Sequence, residues 1–149
     1  MPDFADIYVL SKNRDKASIL TFLESFACFR EQSADEYEVL QYAQSPARIF
    51  RTPEELIDHC CHHKEECHAI YWRVLANEAS HAMLFFLSDG HVIYGLSVDS
   101  EKQASIDRLR DQMTETLEAS PPLVLWECAP PDSATEFIAA LSKQSESLA

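Results

Sequence analysis

The stretch from Ala82 to Val98 constrains the fold most. Ala82–Leu87 and His91–Val98 are apolar at alternating positions of both registers, and Asp89-Gly90 stands between them. Successive side chains of a strand point to opposite faces, so a run that is apolar on both faces must be covered on both. Aspartate then glycine between two such runs is a hairpin signal. It reads here as a type I′ turn, whose two central residues both need φ above zero. The chain is therefore built on a buried antiparallel hairpin.

The other segments arrange around it. Asp6–Leu10 has Ile7 and Val9 on one face and Tyr8 and Leu10 on the other. Ser11 or Asn13 is expected to cap a helix reaching Phe26, with Ile19, Phe22, Leu23 and Phe26 as its apolar face. A polar loop at Ser33–Glu36 precedes strands at Tyr37–Ala43 and Arg48–Phe50, separated by Pro46. Thr52-Pro53-Glu54-Glu55 starts a helix strongly, with a capping hydroxyl, a proline in the first turn and a carboxylate for a capping box. That helix is expected to reach His63. Ala69–Leu75 is a further strand. Ser100 with Gln103 opens a helix to Ala119, and Pro121-Pro122 precedes a strand at Leu123–Cys128. Pro130-Pro131-Asp132-Ser133 leads into a last helix ending near Lys143, with a frayed Ser-rich tail. Met83, Leu84, Phe85, Phe86, Ile93, Tyr94, Val124 and Leu125 are expected in central strands. Runs of antiparallel strands mixed with crossover helices mean α+β. The expected architecture is a mostly antiparallel sheet of about five to seven strands, a single layer covered by about four helices. With 149 residues, 46% of them hydrophobic, the chain is read as a single domain, 1–149.

Charge narrows the partners. Twenty-five acidic residues against twelve basic ones give −13 at neutral pH. Few cations are present to replace the counterions of a nucleic acid, so such a partner is excluded. An anionic membrane surface would repel the chain as well. A basic protein partner would instead be steered in. No run approaches the roughly 18 apolar residues of a membrane helix, and Asp3 and Asp6 sit where a signal peptide carries its basic region. Five cysteines, an odd number with Cys60 and Cys61 adjacent, read as free thiols in a reducing compartment. Together these place the chain in the cytoplasm.

Residue types also exclude common chemistries. The two glycines are Gly90 and Gly95. A dinucleotide fingerprint needs three and a phosphate-binding loop two with a following lysine. A nucleophile elbow fails because Gly95-Leu96-Ser97 runs into Val98-Asp99. The segment Asp58–His68 contains zinc-type ligands, four histidines and three cysteines. At 100° per residue, however, Cys60 and Cys67 continue the stripe of Leu56, with Ile57 and Cys61 beside them, where cysteine acts as a small hydrophobe. His59 and His63, one turn apart, are the candidate metal pair. Cys67 would lie about 12 Å further along the axis than His59, so no second ligand pair is supplied locally. No metal or cofactor is expected. Cys28 and Cys128 are candidate nucleophiles by type, but their neighbours read them as buried packing residues. Glu54/Glu55 and Glu65/Glu66 are adjacent and diverge on a helix, so they read as solvated charge.

The predicted helix from Ser100 carries the main candidate site. Ile106, Leu109, Met113 and Leu117 make its buried face. Nearly opposite, Asp107, Asp111, Glu115 and Glu118 stack within about 80° of one another. Like charges four apart repel by roughly 0.2–0.5 kcal/mol per pair, and the last two face the unfavourable end of the helix dipole. Folding does not ask for this row; a cationic partner would. The expected function is a non-catalytic acidic binding protein docking a basic protein, of the inhibitor or immunity-protein type that neutralises a nuclease. The alternatives are a small enzyme using Cys, His or carboxylate chemistry, and a metal-binding or regulatory module centred on His59–His68.

Overall fold

The computed structural model describes residues 2–39 and 48–148. The strands are β1 (Phe4–Ser11), β2 (Arg30–Gln32), β3 (Tyr37–Val39), β4 (Arg48–Phe50), β5 (His68–Val74), β6 (His81–Phe86), β7 (Val92–Asp99) and β8 (Leu123–Trp126). The helices are α1 (Lys16–Phe26), α2 (Pro53–His62), α3 (Gln103–Thr116) and α4 (Ala134–Leu148). Six strands form one sheet in the order β2-β5-β6-β7-β1-β8, each neighbouring pair antiparallel, and β3 and β4 pair apart from it. The fold is α+β, with four helices among the described residues and a mostly antiparallel sheet. Among the described residues no helix is long and apolar enough to cross a membrane.

The sheet has two unequal faces. Ile7, Val9, Ile70, Trp72, Leu84, Tyr94 and Leu96 face one way and join Phe22 of α1, Leu56 of α2 and Ile106 of α3 in one large apolar cluster. Tyr8, Leu10, Met83 and Ile93 face the other way, and α4 covers them through Phe137.

Local chemistry explains where the elements start and stop. Asp15, not Ser11 or Asn13, caps α1: its carboxylate accepts from the Ser18 N–H at 2.8 Å. Thr52 caps α2 as read, accepting from the Glu55 N–H, but the helix stops at His62. Arg14 holds that stop. Buried among its neighbours, its guanidinium donates to the carbonyls of Cys60 (2.9 Å), His63 (3.0 Å), Glu66 (2.8 Å) and Leu87 (2.7 Å). A cation at the negative end of α2 takes up carbonyls that the helix leaves open.

Several boundaries depart from expectation. The turn after β6 is not type I′: Gly90 alone carries a positive φ, 89°. The Gly90 N–H donates to the Leu87 carbonyl and the Leu87 N–H to His91, a three-residue loop closed by a left-handed glycine. The short edge strand β2 was not anticipated. Val124 and Leu125 lie on β8, which is an edge strand and not a central one. Its backbone is covered there by the Gln144 amide of α4, which donates to the Val124 carbonyl (2.7 Å) and accepts from its N–H (3.1 Å). An edge so capped cannot recruit another strand at that position. β8 itself ends at Trp126, short of Cys128, and α4 runs on to Leu148 where fraying was expected. The expected continuation of β3 to Ala43, and Pro46, lie outside the described residues.

Candidate functional site

Helix α3 does present carboxylates to solvent. Ile106, Leu109 and Met113 are buried, while Asp107, Asp111 and Glu115 on the opposite side are exposed. Its start differs from the expected capping box. Ser100 Oγ donates to the Pro2 carbonyl at 2.8 Å, so Lys102 stands at the cap with no side-chain bond. Two cations share this helix. Arg108 grips Glu78 through both Nε (2.8 Å) and Nη2 (3.0 Å), which holds the Glu78 carboxyl below the usual range. Arg110 lines the same shallow depression as Asp107, Asp111 and Thr114. Asp107 also accepts from Gln103 at 2.9 Å. Of the two cations, Arg108 is engaged by Glu78 and Arg110 stands beside the first half of the acidic row.

Glu118 is not on the helix, contrary to the expected run to Ala119. Leu117 turns to an extended backbone (φ −107°, ψ 138°). The cause is β1, whose pairing with β8 covers Ala5–Tyr8 and leaves Leu10 open. Ser120 fills that place: its N–H donates to the Leu10 carbonyl at 2.7 Å and its Oγ accepts from the Leu10 N–H at 2.9 Å. Glu118 is carried to the end of β1, where its carboxylate accepts from Asn13 Nδ2 at 3.0 Å and its carbonyl from Ser11 Oγ at 3.0 Å. A cavity of about 210 Å³ opens there between β1, α1 and the end of α3, and a wider depression adjoins it.

The histidine-rich segment comes together only in part. His59 and His63 stack with centroids 4.2 Å apart, and His63 Nδ1 lies 2.9 Å from the His59 carbonyl. Glu66 Oε1 approaches His59 Nε2 at 3.5 Å. Among the described residues no group of three His, Cys, Asp or Glu side chains is arranged to hold a metal ion. His68 stands apart, buried, its ring 2.9 Å from the Glu38 carbonyl, and burial pulls its pKa down. Cys60 is buried as read, and burial pushes its thiol up to about 12. Cys67 does not continue the stripe, because α2 has already ended, and it is exposed. Cys28 and Cys128 are exposed too, which corrects the packing role expected of both. Cys28 lies beyond the end of α1, and Cys128 lies two residues past β8.

One arrangement could not be seen from any single segment. Asp6, Ser97, His81, Arg73 and Glu31 stand opposite one another across β1, β7, β6, β5 and β2. They form a polar row on the face that α4 covers incompletely. Asp6 accepts from Ser97 Oγ at 2.9 Å and from the Cys128 N–H at 3.1 Å. Burial nevertheless raises its pKa. These bonds fasten the segment after β8 to the sheet, aided by Tyr8, whose hydroxyl donates to the Cys128 carbonyl at 2.7 Å. Each member alone looks like an ordinary outward residue; only strand register unites them.

No protein-family model, curated protein or solved structure matches this chain.

Proposed function

We propose that the chain is a non-catalytic binding protein that docks a basic protein partner on α3 and the turn that follows it, as an inhibitor or immunity protein would. The observation that carries this reading is the row Asp107, Asp111 and Glu115, exposed on a helix whose other face is packed into the core. A rigid element spends little conformational entropy on docking. The remaining charge supports the same reading. Asp6 is the one buried carboxylate among the described residues, while Arg14 is buried and Arg51, Arg73 and Arg108 are each tied to a glutamate. The field around the molecule is accordingly negative, and it speeds encounter with a cation-bearing surface.

The test replaces Asp107, Asp111, Glu115 and Glu118 with their amides. Partners are captured from native lysate, and association rates are then measured at low and high salt. The variant is expected to fold as before and to associate about tenfold more slowly at low salt, with a flatter salt dependence. Unchanged partners and rates would reduce the row to ordinary solvated charge.

A further inference from the structure

The cavity at the end of β1 is rich in hydrogen-bond acceptors. Its polar wall is Ser11, Asn13, Ser18, Thr21, Tyr94, Thr116 and Glu118. Three of its hydroxyl protons are already committed: Ser11 donates to the Glu118 carbonyl, Ser18 to Asp15 Oδ2 at 3.0 Å and Thr21 to the Ala17 carbonyl at 3.0 Å. What those hydroxyls can still offer is lone pairs. The Glu118 carboxylate has accepted one N–H from Asn13 and retains further acceptor capacity and its charge. Tyr94, 1% exposed, lines the inner side, and its buried hydroxyl has no hydrogen-bond partner among the described residues. The cavity volume, about 210 Å³, far exceeds the roughly 30 Å³ share of one water molecule.

We propose that this cavity binds the ammonium group of a small aliphatic amine. An ammonium is the complement of such a wall: three donors, no acceptor and a positive charge to set against Glu118. The adjoining depression is lined by Lys12 and His91. Lys12 disfavours a second cation there, which selects a single ammonium over a polyamine. The same group is carried by a free amine and by a lysine side chain of a basic partner. In the second case the inference rests on the docking reading above, in which Glu118 belongs to the docked face.

The experiment is an amide-resolved NMR titration of the whole chain with n-butylammonium, and separately with N-acetyl-lysine N-methylamide. Butyrate and n-butanol serve as controls. Saturable shifts are expected at Ser11, Asn13, Ser18 and Glu118 with an amine and not with either control. Saturation by butylammonium points to a free amine, and saturation by the lysine amide alone points to a partner's side chain. Glu118→Gln should weaken binding about tenfold or more while keeping the dispersed spectrum of the folded chain. Absence of saturable shifts with both amines, equal shifts with butanol, or full affinity in Glu118→Gln would overturn the proposal. No protein partner enters this titration. Its failure with partner docking intact removes only the ammonium site, and the reverse result removes only the docking reading.

Discussion

The two faces of the six-stranded sheet come from the same alternating strands, yet they end in different environments. Strands stand about 4.8 Å apart and a helix with its side chains is about 10 Å wide, so one helix shields roughly two strands. Covering six strands needs about three helices by that measure. One face has them, α1, α2 and α3, and its rows Ile7–Leu96–Ala82–Trp72 and Val9–Tyr94–Leu84–Ile70 are buried throughout. Among the described residues the other has α4 alone, and its make-up follows the shortfall. Apolar rows persist beneath α4, while Tyr71, 42% exposed, and the row from Asp6 to Glu31 occupy what α4 leaves open. A strand that is apolar on both faces thus tells that both are covered, and the number of helices tells how far.

The largest test of this asymmetry compares two fully buried phenylalanines, Phe22 on α1 and Phe137 on α4. Phe22→Ala is expected to cost about 3–5 kcal/mol in the global urea transition, because its cavity opens inside the cluster shared by three helices. Phe137→Ala should cost less globally and show first as faster amide exchange confined to α4, the one helix in its cluster. If both variants lower the same transition equally, the faces form one cooperative unit and the contrast drawn here is wrong.

Much of the better covered face was legible in the chain. The alternation in Asp6–Leu10 and Ala82–Val98, the apolar stripe of Phe22 and its neighbours, and the Thr52 cap are all local signals, and each appears where it was read. The candidate site was less so. Asp107, Asp111 and Glu115 follow from helical periodicity, but Glu118 moved off the helix because Ser120 satisfies Leu10, 110 residues away in sequence. The exposure of Cys28 and Cys128 likewise depended on where an element stops. The polar row from Asp6 to Glu31 exists only through register among five strands, which no window of sequence contains.

An intermediate effect is expected at Gly95, which lies between Tyr8 and Met83 on the thinly covered face. A Cβ there would meet the Tyr8 ring at 2.8 Å and the Met83 methyl at 3.1 Å. The ring cannot simply swing aside, since its hydroxyl is held by the Cys128 carbonyl. Gly95→Ala should therefore cost about 1–3 kcal/mol, the usual range for overpacking. In a Tyr8→Leu background the same substitution should cost markedly less, as read from urea midpoints. An equal cost in both backgrounds would show that the strain lies in the backbone and not in this contact.

The smallest effect concerns Asp6, the buried carboxylate of the polar row, where two opposed influences can be separated. Burial raises its pKa above the ordinary 3.8, and the nearby Glu127 adds to that. The hydrogen bond from Ser97, the N–H of Cys128 and the proximity of His81 pull the other way, and burial prevails. A folded state that holds its proton more tightly than the unfolded chain loses stability as pH rises. The contribution of Asp6 is thus fully present below pH 3.8 and declines as pH passes through the raised value. Asp6→Asn removes this titration. The stability of the parent chain relative to the variant should therefore fall as pH rises from below 3.8 through the raised value. Urea midpoints across that range provide the measurement. A difference that grows with pH instead would mean that Ser97 and the Cys128 N–H stabilise the carboxylate more than burial destabilises it. The polar row would then be a net source of stability on the face that α4 leaves open.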